Sequence, residues 1–334
     1  MDPKIDRGEL TARFEQVDYR YQQPFAITGY VFEVSSTVRV TLTRDDFTGH
    51  GEGQGVYYLG DDATSILKQL DGVSSDLPHI RALDDIQELL PPGGARNALD
   101  CAYWDLRTKE EGLSIWSLLD IQPAPLTTVY TLGINEPEIM AQQASAATKY
   151  PSLKLKLSGD RPIERVEAVR EARPDAAIIV DVNQGWSFEE LKEYAPRMKR
   201  LGVAMLEQPL ARGGDESLAS YTSPVPVGAD ESCLHSGDFT IAAQRYDLIN
   251  IKLDKTGGLT EALKLARMTR DRGMGLMVGN MGGSSLAMAP SSVIGQMCNF
   301  VDIDGPLLLS SDCEHPLVYE EGGIVSLPSR SLWG

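Results

Sequence analysis

Cysteine is scarce in this chain of 334 residues, with only Cys101, Cys233, Cys298 and Cys313, and no two of them form a CxxC pair. That excludes a disulfide-stapled scaffold and a CxxC redox or zinc motif, so the four read as reduced thiols with structural roles in a cytoplasmic protein. Histidine is equally sparse, at four residues. No apolar run approaches the ~20 residues needed to span a bilayer. The start, "MDPKIDRGEL", is too polar for a signal peptide. Basic residues are outnumbered, 31 against 48 acidic ones, for a net charge of −17. This balance argues against a nucleic-acid backbone or an anionic membrane surface as partner. No GxGxxG follows the first strand, which disfavours a dinucleotide-binding fold. What remains, 42% hydrophobic and 24% charged, is the composition of an ordinary soluble globular protein.

The chain changes its beat near residue 120. Before it, "YVFEVSSTVRVTLTRDD" (30–46) is rich in β-branched residues and predicts meandering antiparallel strands. "ATSILKQLDGV" (63–73) and "GARNALDCAYWDLRTKEEG" (94–112) carry apolar residues at helical spacing, the latter opened by Pro91-Pro92-Gly93 and stopped by Gly112. Strands grouped before helices predict an α+β capping domain over 1–120.

From there short apolar strands alternate with amphipathic helices. The strands are predicted at 127–133, 152–158, 177–183, 203–209, 225–231, 248–254, 275–281 and 299–305. Eight βα units in succession predict an α/β fold, a (β/α)8 TIM-like barrel over 121–310. The segment 311–334 is too short for a domain and is expected to pack back on the N-terminal unit.

Charged residues recur where those strands end. Lys156, Asp181, Glu207, Asp230 and Lys252 follow one another at intervals of 25, 26, 23 and 22 residues. Each interval is about one βα unit, so the five fall at equivalent places around a barrel mouth, where active sites are built. Taken singly, each acid reads as a strand-end cap or a salt-bridge partner; five in register are hard to explain as solvation. Three carboxylates without His or Cys suit Mg²⁺ and disfavour zinc.

The stretch "SLKLKLSG" (152–159) poses its own question, because Lys154 and Lys156 share one strand face and the leucines take the other. Lys156 and Lys252 lie on the second and sixth strands, so they face each other across the acids. A substrate carboxylate on the metal would present its α-carbon to a lysine on each side. One would remove the α-proton and the other return it, the metal stabilising the enediolate between. Such a lysine must be partly neutral, and Lys154 is expected to depress the proton affinity of Lys156 by like-charge repulsion.

These segments, "KLKL", "DVNQGW", "LEQPL", "GADES" and "NIKLDKTGGLTEA", resemble the enolase superfamily in its muconate-lactonizing subgroup, and "GGARNALDCAYWDL" resembles the same family's N-terminal unit. The resemblance implies an enolase-type barrel under a cap and one Mg²⁺ per subunit held by Asp181, Glu207 and Asp230. It implies Lys156 and Lys252 as acid/base pair with Lys154 supporting, Lys255 being a rival for the second base. The mandelate-racemase type would place a histidine on the seventh strand, and "GLMVGNM" has none. Homo-oligomers are common in that superfamily; nothing in these residues sets a subunit count.

Within the subgroup, "VDIDGPLLL" puts Asp302 and Asp304 on one face of the eighth strand. In dipeptide epimerases a DxD here goes with the substrate's free amino terminus, which suits charge-assisted hydrogen bonds. The expected partner is thus a small dipeptide, and the expected activity is that of an isomerase, a Mg²⁺-dependent epimerase of L-Ala-Xaa dipeptides. Members acting on Ala-Glu carry an arginine in the capping loop. "PFAITGYVF" (24–32) has none, Gly29 stands in that place, and Tyr30 and Phe32 suit an apolar side chain. Gly29, Tyr30 and Thr131 join the two aspartates as substrate-binding candidates. N-acylamino acid racemase, o-succinylbenzoate synthase and muconate cycloisomerase remain open on the same site. So do a metal-free Schiff-base lyase and a non-catalytic binding protein on the same fold.

Overall fold

The structure, a computed structural model, describes residues 8–334. Strands β1 (Thr11–Ile27), β2 (Tyr30–Arg44) and β3 (Phe47–Gln54) form an antiparallel meander in that order. Alternation sends Val38, Val40 and Leu42 of β2 into a core shared with helices α1 (Ala63–Gly72), α2 (Leu83–Leu89) and α3 (Gly94–Glu111). Helix α3 lies directly on β3 because Gly49, Gly51 and Gly53 present no side chain to it. A Cβ on Gly51 would stand 2.2 Å from the Ala98 carbonyl oxygen. Gly112 ends α3 in the left-handed conformation, φ 66°, which a glycine adopts without strain.

After α4 (Ile115–Leu119) and the short β4 (Leu126–Thr127), the βα repeat begins. It runs β5 (Tyr130–Leu132), α5 (Pro137–Ala146), β6 (Ser152–Lys156), α6 (Pro162–Ala172), β7 (Ala177–Asp181), α7 (Phe188–Arg200) and β8 (Val203–Glu207). It continues with β9 (Val227–Ala229), α8 (Phe239–Ala242), β10 (Leu248–Ile251), the one-turn α9 (Leu253–Thr256), α10 (Leu259–Asp271), β11 (Gly275–Val278), α11 (Ser285–Gly295) and β12 (Phe300–Val301). Strands β5 to β12 are parallel and neighbour one another in sequence order. Val129 N–H donates to Val301 O at 2.9 Å, bringing the first strand against the last. The predicted α/β barrel is therefore present, with two departures: 3-10 turns at Glu216–Ser220 and Gly305–Leu308 stand where helices would follow β8 and β12.

The strands are shorter than their apolar runs predict. β7 stops at Asp181 and β8 at Glu207, because Asn183, Gln184 and Gln208 take positive φ angles of 46°, 67° and 37° and leave the ladder. These are non-glycine residues in sparsely populated backbone, gathered at one end of the barrel. Inside the barrel floor, Val129, Ile179, Met205, Leu248 and Met277 pack on one another. Two residues further along the same inward faces come Asp181, Glu207 and Asn250, so the period of two converts an apolar floor into a polar mouth.

The chain end returns to α3 and α4. Trp333 Nε1–H donates to Cys101 O at 2.9 Å, and Ile115 N–H donates to Gly334 O at 3.2 Å. Before that, β13 (Ile324–Val325) pairs antiparallel with β4. Among the described residues no helix is long and apolar enough to cross a membrane.

Candidate active site

Asp181, Glu207 and Asp230 are buried, and their carboxylate oxygens can all lie within 4.8 Å of one another. Asp181 and Glu207 end β7 and β8 and Asp230 directly follows β9, so barrel curvature converges them. Their surroundings fix the side chains. Asn250 Nδ2 donates to Glu207 Oε1 at 2.7 Å, and Asn183 N–H donates to Asp181 Oδ1 at 3.0 Å. Gln208 spans the gap to the next strand, its Oε1 accepting from Asp230 N–H at 2.9 Å and Ser232 N–H at 3.0 Å. Glu207 Oε2 is buried and receives no directed hydrogen bond, although Lys154 Nζ stands 2.8 Å away as an ion pair. Buried hard oxygens with a free lone pair fit Mg²⁺.

Four lysines, Lys154, Lys156, Lys252 and Lys255, surround the acids. Lys156 Nζ donates to Asp181 Oδ2 at 2.5 Å and to Asn183 Oδ1 at 3.2 Å. Lys252 Nζ donates to Asp230 Oδ2 at 2.6 Å. Burial works against the charge on Lys252, but Asp230 and Glu207 outweigh it and push the ammonium above its ordinary range. Asp181 and Asp230, though fully buried, are held below the usual carboxylate range by these lysines, whereas burial and the charge of Asp181 push Glu207 up.

Lys154 departs from expectation. It does point with Lys156 into the barrel, while Leu153, Leu155 and Leu157 join the outer core. Yet its Nζ is enclosed by Asp302 Oδ2 at 2.8 Å, Glu207 Oε2 at 2.8 Å and Asp181 Oδ2 at 3.1 Å. Burial disfavours its charge, but those three carboxylates hold the ammonium well above its ordinary value. Its field is compensated locally, so it is the counter-charge of the acids rather than a free lever on Lys156.

Asp302 Oδ1 accepts from Asn280 Nδ2 at 3.1 Å. Asp304 Oδ2 accepts from Thr131 N–H at 2.6 Å. Burial and the neighbouring Asp302 push Asp304 well above the carboxylate range, while Lys154 holds Asp302 below it. The two acids, with Thr131, Lys154, Lys156 and Lys252, line one cavity. Its outer wall comes from the capping strands and the turn after them: Tyr21, Phe25, Ile27, Phe32 and Tyr57.

Two expected contacts do not reach it. Gly29 sits at the β1–β2 tip with φ 79° and open space around it, and Tyr30 is 45% exposed. The tip is tied down instead by Thr28 Oγ1, 3.0 Å from both Leu157 O and Val182 O. Tyr30 stacks on Phe32 and meets Tyr57 edge-on, with centroids 6.1 and 4.5 Å apart, so it backs the wall rather than forming it. Lys255, the rival base, is fully enclosed: its Nζ donates to Asp230 Oδ1 at 2.6 Å, Asp230 O at 2.7 Å and Asn250 O at 2.9 Å. Asn183 and Asn250 escaped the sequence reading. Each stands two residues from a charged mouth position, Asp181 or Lys252; Asn183 reaches the cavity from the turn after β7. That spacing was the available signal.

Fold and acidic trio define a class, and the chain belongs to it: the enolase superfamily, whose C-terminal domain-like profile matches residues 139–330. Among particular relatives, the N-acetyl-D-glutamate racemase of a Pseudoalteromonas species is 38% identical over 297 residues, 88% of this chain and 94% of that protein. The L-Ala-D/L-Glu epimerase of Escherichia coli K12 is 38% identical over 302 residues, 90% and 94% of the two chains. An enolase family member from Agrobacterium tumefaciens with homology to dipeptide epimerases, solved with sodium and L-Ala-L-Glu, superposes with a TM-score of 0.94. It is 36% identical, covering 97% of this chain and all of that one.

Proposed function

We propose that this protein is a Mg²⁺-dependent dipeptide epimerase that inverts the α-carbon of the second residue by two-base proton transfer. The observation that carries the reading is the placement of Lys156 and Lys252 in one cavity, paired with Asp181 and Asp230 at opposite ends of the acid trio. Asp181, Glu207 and Asp230 would hold the ion, which when bound supplies positive charge against which a substrate carboxylate gathers electron density. An ion held by these acids would loosen the grip of Asp181 and Asp230 on Lys156 and Lys252, which favours the neutral amine a base requires. One lysine then takes the α-proton at its Nζ, and the other gives one to the opposite face. Asp302 and Asp304 accept the substrate ammonium, with Thr131 N–H fixing Asp304.

The second residue is apolar or aromatic in this reading. Among the described residues the cap contributes only Tyr21, Phe25, Ile27, Phe32, Gln54 and Tyr57 to the cavity, and the only cations lining it, Lys154, Lys156 and Lys252, are already paired with acids. A glutamate side chain would lose hydration without a charged partner.

A second reading, racemisation of N-acylamino acids, is favoured by one contact set: Asp302 is already satisfied by Lys154 and Asn280, which leaves less charge free for an ammonium. Proton NMR in D₂O with Mg²⁺ separates the two. Loss of the α-proton signal from L-Ala-Leu or L-Ala-Phe, abolished by EDTA and by Lys156→Ala or Lys252→Ala, supports the epimerase. Exchange confined to N-acetylamino acids supports the racemase, and equal turnover of L-Ala-Glu overturns the apolar pocket.

A further inference from the structure

Helix α3 of the cap turns one polar edge to the segment that carries Lys252. Arg96 Nη2 donates to Thr256 O at 2.7 Å and Nε to Gly257 O at 3.0 Å. Asp100 Oδ2 accepts from Thr260 N–H at 3.0 Å. Arg96 and Asn97 stand four and three residues before Asp100, which puts each of them beside it on the helix surface. Gly257 and Gly258 make room for that edge: a Cβ on either would stand 2.5 Å from Arg96 Nε or from the Asp100 side chain.

The central contact is Asp254, two residues beyond Lys252 in the one-turn helix α9. It is 5% exposed. Its Oδ1 accepts from Asn97 Nδ2 at 2.7 Å and from the Gln54 N–H at 2.9 Å. Gln54 ends β3, and its own side chain lines the cavity. One carboxylate oxygen thus joins two cap elements to the turn whose first flank is Lys252. On the Lys156 side the cap makes a different contact, Thr28 Oγ1 on Leu157 O at 3.0 Å, and Lys156 Nζ is held by Asp181 and Asn183; neither involves Asp254. A cap needed only for its walls would dock on the barrel rim anywhere.

We propose that Asp254 is a positioning residue, through which the cap sets the placement of Lys252 and not that of Lys156. The proposal rests on the two-base reading above in assigning the lysines separate faces of the α-carbon. Its consequence is an asymmetric defect. With each epimer of one dipeptide supplied separately in D₂O, Lys156→Ala and Lys252→Ala establish which lysine removes which proton. Asp254→Ala is then expected to slow α-proton exchange at least tenfold more for the Lys252-dependent epimer than for the other. Asp254→Asn, whose amide oxygen accepts the same two N–H groups, is expected to restore most of the difference.

Equal slowing of both epimers, or none, overturns the proposal. A crystal structure of Asp254→Ala provides a readout that needs no substrate. Loss of the Lys252 Nζ–Asp230 Oδ2 contact with Lys156–Asp181 retained supports the proposal, and two unchanged contacts overturn it. Absence of exchange by the unaltered enzyme on every dipeptide would sink the reaction assigned above, and the crystal structure would still decide the role of Asp254.

Discussion

Lys154 Nζ and Asp302 Oδ2 lie 2.8 Å apart across 148 residues of chain, joining the second barrel strand to the end of the eighth. The pair spans the seam where the barrel closes. It also links the acid trio to the DxD motif, because the same ammonium touches Glu207 and Asp181.

Removing that ammonium leaves three buried carboxylates facing one another. Breaking a buried ion pair from one side costs about 3–5 kcal/mol. Lys154→Met is therefore expected to lower the denaturation midpoint of the metal-free protein by that order, measured in urea. Mg²⁺ should recover part of the loss, since the ion supplies positive charge to Asp181 and Glu207.

Lys255 provides the contrast to Lys252. It donates to Asp230 Oδ1 and to three backbone carbonyls, Asp230 O, Asn250 O and Cys233 O. Lys255→Met should destabilise the fold by roughly 3–5 kcal/mol and weaken Mn²⁺ binding, measured by electron paramagnetic resonance. Lys252→Ala should leave Mn²⁺ binding within a few fold while abolishing inversion.

Metal binding should show in stability without any substrate. A ligand at one hundred times its dissociation constant stabilises the native state by about 2.7 kcal/mol. Mg²⁺ is expected to raise the melting temperature and EDTA to reverse the shift. Asp181→Asn, Glu207→Gln and Asp230→Asn should each abolish the response.

Asp254 should leave a mark on the pH dependence of folding. Burial pushes it from 3.8 to about 7, helped by the charges of Glu52 and Asp61 and opposed by the hydrogen bonds from Gln54 and Asn97. Its folded value lies above its unfolded one, so its contribution is complete below pH ~4 and is lost as the pH rises through ~7. Asp254→Asn cannot titrate. The stability difference between pH 5 and pH 8 should therefore shift in the variant, toward relatively greater stability at pH 8, by urea denaturation.

Phe32 tests the pocket wall. A cation introduced by Phe32→Arg should raise turnover of L-Ala-Glu relative to L-Ala-Leu by about tenfold, the worth of roughly 1.4 kcal/mol. An unchanged ratio in NMR competition would place the second residue against another wall.

Much of this was legible in one dimension. The interval of about one βα unit between Lys156, Asp181, Glu207, Asp230 and Lys252 determines their shared place at the mouth, because parallel strands in sequence order bring equal positions to equal heights. The period of two likewise determines that Lys154 and Lys156 share a face, and the absence of arginine from 24–32 removes a cation from the cap. The tertiary structure alone decided what each charge meets. Sequence spacing cannot show that Lys154 is ringed by three carboxylates, since Asp302 arrives only when the barrel closes. It cannot show that Tyr57, rather than Tyr30, faces the cavity, since a hairpin tip bends freely. Nor can it show that Asp254 looks away from the site toward Asn97 and Gln54. Those outcomes depend on contacts between residues up to 200 positions apart, and local periodicity carries no information about such pairs.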